Sequence, residues 1–270
     1  QNIDYIIING SECEPYLTSD YRLMVERSKD IIEGISIVLR LFEKAEAIIG
    51  IEDNKPKAID ALSFECNSNN RINVMPLSTR YPQGGERRLI SSVTGRQINS
   101  HILPADAGVI VLNIATIIAI YEAVKMNMPL VHRVVTLTGD GINKPGNMDV
   151  LLGISHKYLA DECGGIKDST VKIISGGPMM GMAMNSLDYP VTKTSSSILA
   201  ITHDDVEKME TTACIRCGRC VGACPETMSN LKSFTVWNVL NAVVAHMFAL
   251  QKDRLRKHLS LPKSKYVKAK

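Results

Sequence analysis

The sequence predicts the α/β fold class, with a largely parallel sheet followed by a smaller module rich in strands. Short apolar runs alternate with segments whose apolar residues recur at helical spacing up to about residue 127. From Pro129 the pattern changes to β-branched runs separated by glycine-containing turns. The chain has 270 residues, of which 45% are hydrophobic and 22% charged. A chain of this length and composition is typical of about two globular domains.

The first predicted domain, residues 1–128, contains strands and helices in strict alternation. We expect strands at residues 5–9, 47–51, 72–76 and 109–112. We expect helices at residues 21–42, 56–63 and 115–125, and a further helical segment that ends at Val93. Because each strand is followed by a helix, neighbouring strands should run parallel, with their carboxyl ends at one edge of the sheet.

The second predicted domain, residues 129–187, is a β-grasp-like module. Strands are expected at residues 131–138 and 150–152, followed by a helix at His156–Glu162 that Gly164 and Gly165 terminate, and by a strand at residues 171–175. Residues 188–230 contain a linking strand, Ser197–Ile201, and a ferredoxin-like cysteine segment. Residues 231–270 contain an amphipathic helix, at about residues 236–250, and a basic tail.

The cysteine segment carries the strongest chemical signal. Cys214, Cys217, Cys220 and Cys224 are separated by two, two and three residues, and Pro225 follows. This is the bacterial ferredoxin spacing, in which thiolates converge on an iron–sulfur cubane. A zinc ribbon, the alternative, needs two separated cysteine pairs. The spacing predicts one [4Fe–4S] cluster, and Cys224 either completes it or binds a second cluster.

Polar loops follow three of the predicted strands, where ligands of α/β sheets bind. Glu12 and Glu14 follow the first strand and could accept hydrogen bonds from ribose or flavin hydroxyl groups. Gly84 and Gly85, between Tyr81 and Glu86, would let a ligand approach the backbone. Asn113 and Thr116 begin a helix whose free N–H groups favour phosphate. The cofactor-site residues predicted on these loops are Asn9, Glu12, Glu14, Tyr81, Gly84, Gly85, Glu86, Asn113 and Thr116.

Charge and hydropathy exclude several classes of protein. Residues 251–270 contain eight basic residues against one acidic residue, so the rest of the chain is net acidic although the total is +3. The basic tail is either solvated or attracted to an acidic partner or an anionic membrane. No basic stripe suits nucleic acid, we expect no secretory signal because the first residues lack a basic and an apolar region, and no apolar stretch reaches the ~20 residues of a membrane span. A buried strand predicted so close to Gln1 leads us to expect a part of a longer protein.

Seven stretches of the sequence resemble the C subunit of bacterial Rnf electron-transport complexes, itself similar to the flavin- and NADH-binding subunit of respiratory complex I. They are IINGSECEPYLTSDYRLMVE, IIGIEDNKPKAI, YPQGGERRLI, the Asn113/Thr116 segment, RVVTLTGDGINKPGN, ISGGPMMG and ACIRCGRCVGACP. The resemblance implies an FMN- and NADH-binding first domain, a soluble-ligand-binding β-grasp module and two [4Fe–4S] clusters in the whole protein. It implies that Asn9, Glu12, Tyr81, Gly84, Asn113 and Thr116 contact FMN, and that Glu14 and Glu86 lie near the nicotinamide nucleotide.

The same resemblance implies a function. Electrons would pass from NADH through FMN to iron–sulfur clusters, then to other subunits of the complex and to ferredoxin, coupled to ion translocation. The subunit would lie peripherally at the cytoplasmic face of the bacterial inner membrane, without nucleic acid as a partner. Two alternatives are a cobalamin reductase of diol-degrading microcompartments and a non-catalytic iron–sulfur electron-relay adaptor.

Overall fold

The computed structural model describes residues 2–67, 69–98 and 101–203, together with residues 215 and 217. These residues form two compact units. The first unit contains the chain up to Cys13 and Thr18–Val131, and the second contains Glu14–Leu17 and the chain from His132 onward.

The first unit is built on a parallel four-stranded sheet. Its strands are β1 (Tyr5–Gly10), β2 (Glu46–Glu52), β3 (Ile72–Leu77) and β4 (Val109–Asn113), in the order β3-β2-β1-β4. Its helices are α1 (Ser19–Glu26), α2 (Ser28–Leu39), α3 (Pro56–Cys66), α4 (Glu86–Thr94) and α5 (Ile114–Lys125), with a 3₁₀ turn at Pro104–Ala107. The predicted parallel α/β sheet is therefore confirmed.

Both faces of this sheet are covered, which explains why β1 is a continuous apolar run. Ile7 packs in a cluster with Leu89 and Ile90 of α4. Successive residues of a strand point to opposite faces, so Ile6 and Ile8 lie on the other face, and both are fully buried. The helices α1, α2, α3 and α5 contact one another.

The prediction of a single helix over residues 21–42 is wrong, because the helix is interrupted at Arg27. Arg27 leaves helical geometry, with φ −127° and ψ 32°, between α1 and α2. Its guanidinium donates to Asp30 at 2.8 Å and to Glu122 of α5 at 2.6 Å. Apolar spacing along the sequence does not reveal this break, since one of the partners of Arg27 is 95 residues away.

The second unit contains a mixed five-stranded sheet and one helix. Its elements are β5 (His132–Thr138), β6 (Gly146–Leu151), α6 (His156–Glu162), β7 (Lys172–Ser175), β8 (Met182–Ala183) and β9 (Ser197–Ile201). The strand order is β6-β5-β9-β7-β8, with β9 parallel to β5 and antiparallel to β7. The last strand thus lies at the centre beside the first, as in β-grasp folds. Ser197–Ile201, which the sequence analysis treats as a linking strand, is this central strand.

Two further predictions concern parts of the chain that the structure does not describe. The amphipathic helix at about residues 236–250, and Cys214, Cys220 and Cys224, lie outside the described residues. Within the described ranges, no helix has the length and apolar character that a membrane crossing requires.

A candidate cofactor site at the carboxyl edge of the first sheet

The loops that follow β1, β2, β3 and β4 meet at one edge of the first sheet. From β1 the chain moves outward through β2 and β3, and then returns to place β4 on the other side of β1. Such a reversal of strand order opens a crevice at the carboxyl ends of the two strands. Asn9 of β1 and Asn113 of β4 are register partners at this point.

Asn9 joins the loop after β1 to the loop before α4. Its amide nitrogen donates to the carbonyl of Gly84 at 2.9 Å, and its amide oxygen accepts from the Ser11 N–H at 3.1 Å. A Cβ atom at Gly84 would overlap the Ser11 carbonyl oxygen. Gly84 is therefore required for the close packing of these two loops.

Glu12 is buried and accepts hydrogen bonds from the N-terminus of α1. Its carboxylate accepts the N–H groups of Asp20 and Tyr21 at 2.9 and 3.2 Å, and the Ser19 hydroxyl at 3.4 Å. A carboxylate at this end of a helix is stabilised by the helix dipole and by the free N–H groups of the first turn. Glu12 therefore orders the segment that follows β1.

Lys55, which the sequence analysis did not single out, lies beside Glu12. Its ammonium group donates to the Glu12 main-chain carbonyl at 3.0 Å and lies 3.3 Å from the Glu12 carboxylate. The Glu52 carboxylate, at the end of β2, is 3.9 Å away. The position of Lys55, directly after a strand that ends at this edge, is the one sequence signal that could have identified it.

Asn113 links the starts of two helices. Its side-chain oxygen accepts from the Ala115 N–H at 2.8 Å and so caps α5. Its amide nitrogen donates to the Asp20 carboxylate, in the first turn of α1, at 2.8 Å. Thr116, in the first turn of α5, is exposed. Asp20 is thus a second residue of this edge that the sequence analysis missed.

The loop before α4 contributes the remaining predicted residues of this unit. Tyr81 is half-buried, Gly85 precedes the first turn of α4, and Glu86 is the exposed first residue of that helix. The N-terminal N–H groups of α4 therefore begin beside Gly84, which Asn9 holds at the end of β1.

Glu14 belongs to the second unit. Its carboxylate accepts the Met179 N–H at 3.1 Å, in the Gly-Gly-Pro-Met-Met-Gly loop between β7 and β8. A Cβ atom at Gly177 would overlap the same carboxylate oxygen. The structure therefore places Glu14 against this loop, whereas the other predicted cofactor residues lie in the first unit.

The residues at the carboxyl edge fit a phosphate-bearing, polyhydroxylated cofactor such as FMN. Two helices, α4 and α5, begin there with first-turn N–H groups, which bind phosphate. Gly85 leaves the backbone before α4 without a side chain, and Thr116 offers an exposed hydroxyl group.

Of the predicted cluster ligands, only Cys217 lies among the described residues, where its thiol is free and exposed. No group of His, Cys, Asp or Glu side chains suited to a metal ion occurs in the part of the chain that the structure describes. The cluster therefore stays a prediction from spacing.

The parallel sheet and its polar edge define an α/β domain that can bind a ligand at the carboxyl ends of its strands. Residues 1–122 match the family described as the Nuo51 FMN-binding domain. A crystal structure of an NAD⁺-reducing [NiFe]-hydrogenase in the H₂-reduced state has a similar fold, with a TM-score of 0.62 and 16% identity over 74% of this chain and 40% of that chain.

Several curated relatives of the chain are C subunits of ion-translocating oxidoreductase complexes. The chain is 48% identical to the C subunit of the proton-translocating ferredoxin:NAD(+) oxidoreductase complex of Clostridium ljungdahlii, over 83% of this chain and 49% of the relative. It is 40% identical to the C subunit of the Na(+)-translocating ferredoxin:NAD(+) oxidoreductase complex of Acetobacterium woodii, over 83% of this chain and 51% of the relative. The predicted relationship to such C subunits is confirmed. The chain spans about half the length of these relatives.

Proposed function

We propose that this chain is the FMN- and NADH-binding part of an electron-transfer subunit in a membrane-bound, ion-translocating ferredoxin:NAD(+) oxidoreductase complex. One observation carries the proposal. The Asn9–Asn113 pair lies at the reversal of strand order, within the 122 residues that match an FMN-binding domain family. The names of the relatives, C subunits of ion-translocating oxidoreductase complexes, support the activity and the complex.

Each predicted residue has a defined task in this proposal. The N–H groups that begin α4 and α5, with the Thr116 hydroxyl, bind the phosphate and hydroxyl groups of FMN. Asn9, Glu12 and Asn113 hold the surrounding loops, while Tyr81, Gly84 and Gly85 border the flavin. Glu86 contacts the nicotinamide nucleotide, whereas Glu14 accepts the Met179 N–H of the second unit. The FMN that these residues would hold would supply the change from two-electron oxidation of NADH to one-electron release, so no side chain has to act as acid or base.

Cysteines of the segment 188–230 hold the next electron carrier. Cys214, Cys217 and Cys220 supply thiolates to a [4Fe–4S] cluster, Cys224 supplies one to the same or to a second cluster, and their ferredoxin spacing supports this assignment. Thiolates are soft ligands that favour iron in sulfide-bridged clusters.

Other subunits of the complex receive the electrons, and ferredoxin is the eventual redox partner. The protein lies peripherally at the cytoplasmic face of the bacterial cell membrane. The basic tail between residues 251 and 270 supports contact with anionic lipid or an acidic subunit.

The cofactor content of the intact protein, purified without oxygen, tests this proposal. We expect stoichiometric FMN, together with equal amounts of iron and acid-labile sulfide. A protein that retains no flavin and takes up none when FMN is added would overturn the assignment of the carboxyl edge. Replacement of Cys217 by serine should reduce the iron content and leave the flavin content unchanged.

A further inference from the structure

The chain carries a buried cluster of one lysine and two glutamates at the carboxyl ends of β1 and β2. The side chains of Lys55, Glu12 and Glu52 are only 11%, 4% and 1% exposed. Lysine normally extends its ammonium group to water. Here the ammonium group turns inward and lies between two loops of the sheet edge.

The contacts of Lys55 converge on the loop after β1. Its ammonium group donates to the main-chain carbonyl of Glu12 and also pairs with the Glu12 carboxylate. The Lys55 backbone is itself held, since its N–H donates to the Glu52 carbonyl at 3.0 Å. Lys55 thus fastens the loop after β1 to the end of β2.

Glu12 links Lys55 to the start of α1, because its carboxylate contacts both. Its carboxylate also accepts the N–H groups of Asp20 and Tyr21. A buried carboxylate that loses its cation either draws in water or moves toward the solvent. Loss of the lysine charge would therefore displace Glu12, and with it the loop after β1 that also contains Ser11.

We propose that Lys55 is a positioning residue of the cofactor site, which acts by holding the Gly10–Cys13 loop through Glu12. This inference rests on the proposed function, because it assigns the loop to FMN binding. Lys55 itself contacts neither the flavin nor the nucleotide in this account.

Substitution of Lys55 by methionine in the intact protein tests the inference, with Lys57→Met as the matched control. Lys57 is exposed two residues further along, so both variants lose one positive charge from the same helix start. We expect K55M to raise the dissociation constant for FMN about tenfold or more, as for the loss of one partner of a buried ion pair, and K57M to leave it within about twofold. Equal effects of the two variants would overturn the proposal.

A double-mutant cycle separates action through Glu12 from general damage. If Lys55 acts through Glu12, K55M combined with Glu12→Gln should bind FMN about as weakly as Glu12→Gln alone. If the two effects multiply, Lys55 acts independently of Glu12 and the proposal is wrong. Lys55→Arg, which keeps the charge, should recover part of the affinity.

Amide hydrogen exchange of the unliganded protein gives a readout that does not depend on FMN. We expect K55M, but not K57M, to increase exchange in the peptide that covers residues 10–21. Unchanged exchange would show that Lys55 does not hold the loop. A wild-type protein that binds no FMN would overturn the proposed function, whereas faster exchange with unchanged FMN affinity would overturn this inference alone.

Discussion

Asn9 and Asn113 are register partners across β1 and β4, and each holds a different part of the chain at the sheet edge. Asn9 binds the carbonyl of Gly84, and Asn113 binds the carboxylate of Asp20. The crevice expected beyond the carboxyl ends of these two strands is therefore bordered by loops that internal hydrogen bonds already order. Because these loops are already ordered, the protein loses less conformational entropy when a ligand binds.

The helix cap that Asn113 provides should contribute measurably to the free energy of unfolding. Asn113→Ala removes the acceptor of the Ala115 N–H and the donor to Asp20, so we expect a loss of about 1–2 kcal/mol in the free energy of unfolding. Urea denaturation measures this change. Asn113→Ser keeps a capping oxygen and should fall between wild type and alanine; a serine variant as unstable as the alanine variant would show that the cap contributes nothing.

Gly84→Ala should separate two loops of the site. The added methyl group would overlap the Ser11 carbonyl, and overpacking of this kind costs about 1–3 kcal/mol. Gly146→Ala in β6 is the matched control, because no atom lies within 4 Å of its added Cβ and its φ is not in the left-handed region. We expect lower stability and weaker FMN binding only for Gly84→Ala, and similar behaviour of both variants would contradict the packing role.

Gly177 and Glu14 should be energetically coupled in the second unit. A methyl group at Gly177 would displace the Glu14 carboxylate from the Met179 N–H. Gly177→Ala should therefore lower the unfolding temperature of the wild type more than that of a Glu14→Ala variant. Equal losses in both backgrounds, measured by calorimetry, would show that the two residues do not interact.

The Cys66 thiol should react slowly at neutral pH. Burial, with a smaller contribution from the neighbouring Glu65 charge, raises its pKa from 9.0 to about 11. Because the thiolate is the nucleophile, alkylation of Cys66 in the folded protein should keep accelerating until the pH reaches about 11. Mass spectrometry of the Cys66 peptide measures the rate, with the urea-unfolded chain as control. A rate that levels off at the same pH in both states would refute the shift.

Most of the first unit could be predicted because its signals are local. Runs such as Ile6–Ile7–Ile8 are buried on both faces and so are continuously apolar, and polar loops follow at Asn9 and Asn113. The edge position of the predicted site follows from parallel topology alone. Glycine pairs and strand-end asparagines are visible without a structure.

The missed features depend on contacts between residues far apart in the sequence. Arg27 breaks a helix while bonded to Glu122, and Lys55 turns inward toward Glu12, 43 residues earlier. Ser197–Ile201 becomes a central strand only by pairing with β5 and β7. None of these contacts produces a regular spacing of residue types along the sequence, so patterns in a single sequence cannot reveal them.

Reduction by NADH tests the central claim most directly. NADH is added without oxygen to the intact, FMN-loaded protein while the flavin absorbance near its visible maximum is recorded. We expect the absorbance to be bleached in proportion to the NADH added, followed by bleaching of the broader iron–sulfur absorbance. A flavin that stays oxidised in excess NADH, although dithionite reduces it, would contradict the proposal that this chain oxidises NADH.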